Sequence, residues 1–208
     1  MKKVTIIDYG MSNLLSISRA LEHIGFEVLV TASADTISKS ELLVLPGVGA
    51  FYDGMSELNK RNIPEAITNF IKTGNPFLGI CLGMQMMLSI GTEIETTTGL
   101  NIIPGTVSPL PKTNQDASRN IIPHIGWTEI NIVRHQHTFN TVTSPTYMYF
   151  VHSFFANVDN ENNTVAHSPF GDTNFTSIIN KDNAWGTQFH PEKSGIAGLG
   201  ILKIILNK

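Results

Sequence analysis

The stretch Pro76-Phe77-Leu78-Gly79-Ile80-Cys81-Leu82-Gly83-Met84-Gln85-Met86-Met87 constrains the fold of this chain more than any other. An apolar run with the length of a buried strand passes directly into an apolar run of helix formers. At the junction the only cysteine of the chain stands between two glycines, Gly79-x-Cys81-x-Gly83. This is the cysteine form of the nucleophile elbow, a strand-to-helix turn sharp enough to push a reactive side chain out of the sheet. Glycines belong beside it because a β-carbon there would collide with neighbouring backbone. At the start of a helix, free amide hydrogens and the positive end of the helix dipole stabilise a thiolate. A lone cysteine in an apolar stretch is equally the mark of a small core residue, so the elbow needs a matching base elsewhere.

The chain has 208 residues, which fits one domain, 1–208. An apolar content of 41% with a mean hydropathy of +0.04 predicts a globular protein with a sizeable core. The net charge of −3 and pI near 6.1 give no electrostatic case for nucleic acid or an anionic membrane. No apolar run approaches the roughly 18 residues of a membrane span. The basic-then-apolar start, Met1 to Ile7, is stopped by Asp8 too early for a signal peptide. One cysteine cannot form an internal disulfide, so a reducing cytoplasm is the expected compartment.

Residues 4–7 read as a buried strand. Leu14, Ile17, Leu21 and Ile24 then recur at helical spacing up to Gly25, and 26–30 is a second strand, completing a parallel β-α-β unit. The first turn, Asp8 to Asn13, lacks the glycine triplet of a dinucleotide site, so no nucleotide cofactor is expected. A third strand, 42–45, runs into Pro46-Gly47-Val48-Gly49, a loop of backbone amides at the carboxyl edge of the sheet or an ordinary turn. Pro64 opens a helix that Gly74 closes, and the elbow strand follows. From Gly99 onward short β-rich runs are divided by Pro, Gly, Asn and Asp clusters, the pattern of antiparallel strands. The runs are 105–110, 128–133, 146–151, 164–167, 176–180 and 185–189, with a hairpin turn at 181–183, an exposed loop at 112–120 and a final helix over 198–206. The expected fold is α/β: a central mixed sheet flanked by helices, parallel strands first and antiparallel strands in the second half.

Of the seven histidines, most carry no signal. His23 sits on a helix flank, His167 beside a loop, and His135-Gln136-His137 reads as a solvated loop rather than a metal site. His190 differs, because it ends an apolar strand in Gln188-Phe189-His190-Pro191-Glu192. Alternation along a strand would point His190 and Glu192 the same way, with Pro191 fixing the backbone between them. The carboxylate can then hold the imidazole in one orientation, leaving it to take the Cys81 thiol proton and return it to a leaving amine.

With Cys81, His190 and Glu192 in this order, the chain resembles the class I (triad) glutamine amidotransferases, which have a flavodoxin-like fold. The resemblance rests on Pro46-Gly47-Val48-Gly49, Gly79 to Gln85 and Gln188 to Glu192, and covers essentially the whole chain. Asp8-Tyr9-Gly10-Met11, residues 45–51, Pro123-His124-Ile125-Gly126-Trp127 and Tyr149-Phe150-Val151-His152-Ser153 look like the branch of glutaminase subunits of imidazole glycerol phosphate synthase. The resemblance implies attack of Cys81 on the side-chain amide of glutamine, release of ammonia, and hydrolysis of a glutamyl thioester. The amides of Val48 and Leu82 would form the oxyanion hole, worth about 3–4 kcal/mol per donor. Gly49, Gln85, Glu93, His152 and Ser153 would hold the amino-acid head of glutamine. A cyclase subunit would dock over Gly10, Asn13, Pro123, Trp127 and Tyr149 to form a heterodimer in histidine biosynthesis. No metal or organic cofactor is implied.

Two departures stand out. The acidic, glycine-rich stretch of the family is here Gly91-Thr92-Glu93-Ile94-Glu95-Thr96, and Phe154 follows His152-Ser153 where tyrosine is common. They leave open a second partner, a sugar amidotransferase of surface-polysaccharide assembly fed by the same glutaminase chemistry. A non-catalytic scaffold on this fold and a stand-alone thiol hydrolase are the alternatives from other classes. The intact Cys81, His190 and Glu192 argue against the scaffold.

Overall fold

The computed structural model of the chain describes residues 2–134 and 145–207. His135 and His137 lie outside the described residues. The first half alternates strand and helix: β1 Lys3–Ile7, α1 Leu14–His23, β2 Glu27–Thr31, α2 Ala34–Ser38, β3 Leu42–Gly47, α3 Phe51–Lys60, α4 Ile63–Ile71, β4 Phe77–Cys81 and α5 Leu82–Met86. Two short strands, β5 Ile90–Gly91 and β6 Thr97–Thr98, lead to β7 Gly105–Pro109, β8 His124–Ile132, β9 Thr146–His152, β10 Phe154–Val158, β11 Thr164–Phe170, β12 Thr173–Lys181 and β13 Ala184–Thr187. Helix α6 Gly195–Leu206 closes the chain.

The sheet runs β2-β1-β3-β4-β13-β12-β10-β7-β5-β6, with β11, β8 and β9 continuing from β12. The β1–β2, β1–β3, β3–β4 and β4–β13 pairs are parallel, whereas β12 and β10 begin an antiparallel half. Alternate residues of the parallel strands feed two cores. Val4, Ile6, Leu42, Val44, Leu78 and Ile80 pack with Ile17 and Leu21 of α1 and Ile201, Leu202 and Ile205 of α6. Ile7, Leu43, Leu45 and Phe77 pack instead with α3, α4 and α5 through Phe51, Met55, Ile67, Phe70 and Met84. A sheet apolar on both faces must be covered on both, as in doubly wound folds.

Topology places the site. Strands β3, β4 and β13 lie side by side and parallel, with Gly47 in register with Cys81 and Thr187 with Ile80. Their carboxyl ends therefore deliver the 46–49 loop, the cysteine and the segment leading to His190 to one edge of the sheet, where open α/β sheets bind ligands.

Several boundaries differ from the sequence reading, each for a physical reason. Helix α3 went unread: its first amide, Phe51 N, donates to the Glu93 carboxylate at 2.9 Å, so its cap comes from far along the chain. Helix α2, capped by Ser33, is only 5 residues long and has one buried residue, Ile37. Strand β10 follows β9 after Ser153 alone, with no turn residues to mark the break. His167 lies within β11 rather than beside a loop, and α6 starts at Gly195 rather than 198.

Candidate active site

Cys81 closes β4 and precedes α5 with φ 53° and ψ −108°, a region that side chains other than glycine rarely occupy. Strain of this kind costs on the order of 1–3 kcal/mol and persists only where the surroundings impose it. Here they do. A β-carbon on Gly79 would come within 2.7 Å of the Gly83 carbonyl oxygen, and one on Gly83 would overlap the Leu45 carbonyl. The elbow thus exists because β4, α5 and β3 approach as closely as bare backbone allows.

His190 lies three residues beyond β13. Its Nδ1 and the Oε1 of Glu192 are 2.8 Å apart, and both side chains are almost wholly buried. Strand alternation does not bring them together: β13 ends at Thr187, and Pro191–Lys193 form one turn of 3-10 helix with His190 as N-cap. Pro191, at the first helical position, sets that turn, which folds Glu192 back onto the ring. Burial alone would push His190 down. Its interactions with the Cys81 sulfur and the Glu192 carboxylate override that and raise it to about 10. Nδ1 is occupied by Glu192, and among the described residues Nε2 has no hydrogen-bond partner. The loop is pinned from β9: His190 N donates to Tyr149 O at 3.0 Å, Tyr149 N to Ser194 Oγ at 3.0 Å, and Ser194 Oγ to His190 O at 2.7 Å.

Cys81 and His190 line a cleft of about 460 Å³ together with Val48, Gly49, Leu82, Gln85, Glu93, His152 and Ser153. That size suits a small polar ligand. Every residue expected at the oxyanion hole or the glutamine head therefore meets in one cavity, despite separations of up to 142 positions in sequence between Val48 and His190. The stretch around Glu93 departs from the family pattern yet delivers a carboxylate, one oxygen of which holds Phe51 N. Pro123 also lines the cleft, whereas Gly10, Asn13, Trp127 and Tyr149 do not. Asn13 caps α1 through Ser16 N at 3.3 Å, and Trp127 and Tyr149 pair edge to face across β8 and β9. Ile125, Trp127 and Tyr147 leave an exposed apolar surface on that hairpin.

The loop expected to form the oxyanion hole is set differently from Cys81, His190 and Glu192. The amide of Val48 donates to Met11 O at 2.9 Å and so points away from any ligand beside Cys81. Gly49 holds φ +105°, a conformation open to glycine, and both residues are exposed.

Some neighbours of the site, and the contacts of the expected residue His152, were not legible beforehand. His152 is buried and neutral, its ring pushed down to about 3 by burial. Its Nδ1 donates to Phe154 O at 2.9 Å, which leaves Nε2 to accept from His124 Nδ1 at 3.0 Å. His124 Nε2 then accepts from the Thr128 hydroxyl at 2.9 Å. Both ring nitrogens of His152 are thus in use, and what it can offer a ligand is backbone. Tyr9 is fully buried, its hydroxyl packed on Gly47 and without a hydrogen-bond partner among the described residues, and burial with the nearby Cys81 charge raises its pKa. Gln188 was recognised only as part of a motif; its amide reaches the Cys81 sulfur at 3.7 Å.

The family model for glutamine amidotransferase class-I matches residues 5–201. An imidazole glycerol phosphate synthase subunit HisH of Geobacter metallireducens is 43% identical over 204 residues, covering 98% of this chain and 97% of the relative. A HisH 1 subunit of Legionella pneumophila is 42% identical over 211 residues, covering 99% of each. Among solved structures, PurLQS from Thermotoga maritima superposes with a TM-score of 0.75 at 20% identity, covering 99% of this chain and 98% of that one. A glutamine amidotransferase gives 0.74 at 13% identity, covering 98% and 97%. At these identities the structural matches speak to the fold alone, and the fold agrees with the expected α/β architecture.

Proposed function

Because the chain belongs to the class-I glutamine amidotransferases, we propose that it is the glutamine-hydrolysing subunit of an imidazole glycerol phosphate synthase, one domain over its whole length. The observation that carries the reading is the single cleft that joins Cys81 and a Glu192-held His190 to Gly49, Gln85, Glu93 and Ser153. The partner follows from the relatives, two of which are named as subunits of that synthase at 43% and 42% identity over nearly their full length.

The chemistry follows from the charges. Cys81 attacks the side-chain amide carbon of glutamine, and the imidazolium of His190 protonates the departing ammonia. Water, deprotonated by the now neutral His190, cleaves the glutamyl thioester and frees glutamate. Glu192 keeps the ring oriented and stabilises its charge throughout. Leu82, the residue after the nucleophile, supplies one oxyanion donor and Val48 the other once its peptide turns from Met11. A partner seated on the β8–β9 hairpin, with Gly10 and Asn13 beside it, would take the ammonia past Pro123.

Ammonia release from glutamine by the purified chain, alone and with the cyclase subunit and its ligand, tests the reading. Slow release alone and a rise in kcat of about 10²-fold or more in the complex, with little change in KM, is the expected result. Activation only by a sugar amidotransferase would reassign the partner. No ammonia from glutamine under any condition would refute the activity.

A further inference from the structure

The geometry points to Gln188 as a further catalytic residue: its side-chain amide donates a hydrogen bond to the Cys81 sulfur and stabilises the thiolate. This inference concerns the nucleophile alone, so it rests on Cys81 being the reactive group and not on the identity of the substrate.

The orientation of the Gln188 amide is dictated by backbone. Gln85 lies 2.8 Å from the carbonyl oxygen of Phe154, which can only accept, so the Gln85 atom facing it is Nε2. The same nitrogen is 3.2 Å from Gln188, so the atom it meets there must be Oε1. The other end of the Gln188 amide is then Nε2, and it faces the Cys81 sulfur at 3.7 Å. Reversing either amide would set donor against donor or oxygen against oxygen. The chain of contacts Phe154 O, Gln85, Gln188, Cys81 therefore has a single sense, with hydrogen aimed at sulfur.

Burial gives this contact weight. Gln188 is fully buried and Cys81 nearly so. A hydrogen bond to an ionised acceptor, shielded from water, is roughly twice as strong as a neutral one. The sulfur otherwise faces Val151 O at 3.9 Å, an acceptor that suits the thiol and disfavours the thiolate. Gln188 counters it from the opposite chemistry, by contact rather than by charge, while His190 supplies the charge. Gln85 acts through Gln188 and is a positioning residue for it, in addition to offering its own oxygen to the cleft.

The test is the pH profile of Cys81 alkylation by iodoacetamide in the full-length chain, which needs neither glutamine turnover nor a partner. In Gln188→Met, which keeps bulk but cannot donate, alkylation at pH 7 should slow by about 10-fold and the profile should move to higher pH. Gln188→Glu places a carboxylate oxygen at the sulfur and should slow it further. It also serves as the near-isosteric alternative should the methionine variant not fold. Gln85→Met, which releases the Gln188 amide without touching the sulfur, should shift the profile in the same direction by less. Unchanged profiles in folded Gln188→Met and Gln188→Glu would overturn the inference. A shifted profile in a chain that releases no ammonia from glutamine would uphold it while refuting the proposed activity.

Discussion

The proposed triad and the proposed oxyanion loop sit at the ends of adjacent strands, yet they are built to different standards. His190 is buried, bonded to Glu192 at 2.8 Å and held through its backbone by Tyr149 of β9 and by Ser194, which are themselves bonded to each other. Val48 and Gly49 are exposed, and the Val48 amide is committed to Met11 rather than to the cleft. On the proposed reading the nucleophile and its base are thus preassembled, while Val48, one proposed donor for the transition-state charge, is turned away. Burial explains the division: a buried charge persists only where an opposite charge is paired with it, whereas an exposed peptide between glycines can exchange one acceptor for another at little cost. On the proposed function, a site divided in this way would hold back waste of glutamine without disturbing its buried part.

Removing the preassembled half should have the largest effect. Cys81→Ala should lower glutamine hydrolysis by about four orders of magnitude or more, with an unchanged circular dichroism spectrum. His190→Asn should cost nearly as much, since nucleophile and base act as a unit, and the double variant should be scarcely worse than either. Glu192→Gln should cost less than either, by about tenfold or more, because the ring loses its orienter and not its proton. A greater loss for Glu192→Gln than for His190→Asn at neutral pH would reverse the roles given to them.

Perturbing the exposed half should change activation rather than chemistry. In Gly49→Ala the new β-carbon meets the Met11 side chain at 2.8 Å and opposes the φ of +105°. The ratio of partner-activated to unpartnered kcat should fall about 10-fold, in keeping with a coupling of about 1–3 kcal/mol between docking and the loop. An undiminished ratio would mean that the loop is not the element the partner moves.

The smallest expected effects are on stability against pH, and they sharpen the contrast from the side of the fold. His152 stays neutral down to about 3 in the native protein but titrates near 6.5 when unfolded. Its depressed value contributes stability above the unfolded value that is lost as pH falls from about 6.5 through about 3. His190 has the opposite sign. Its raised value contributes stability that is full below about 6.5 and lost as pH rises through about 10. Melting temperatures should therefore decline on both sides of a maximum near neutrality. His152→Gln should flatten the acid limb, and His190→Asn the alkaline limb.

Much of this arrangement was legible in the sequence because it is carried by local pattern. The elbow is written in Gly79-x-Cys81-x-Gly83, and the close contacts of Gly79 and Gly83 are the reason those positions admit no side chain. The parallel first half followed from apolar runs alternating with helical spacing. What was not legible depends on contacts distant in sequence. The cap of α3 is supplied by Glu93, the amide of Val48 is held by Met11, and His152 is spent on His124 and Phe154. The pairing of His190 with Glu192 was expected on the wrong geometry. A 3-10 turn, not strand alternation, brings them together. Gln188 was visible as a letter of a motif, but its aim at sulfur is fixed by a carbonyl 34 positions away.

The central claim, a ready nucleophile beside an unfinished oxyanion hole, is tested most directly by measuring two rates on the same samples. Iodoacetamide alkylation of Cys81 requires the thiolate and no oxyanion donor; glutamine hydrolysis requires both. Addition of the cyclase subunit and its ligand should leave alkylation within about twofold while raising kcat for glutamine by about 10²-fold or more, the contribution of one oxyanion donor. Alkylation that rises in step with kcat would contradict the claim, since the partner would then be activating the nucleophile itself.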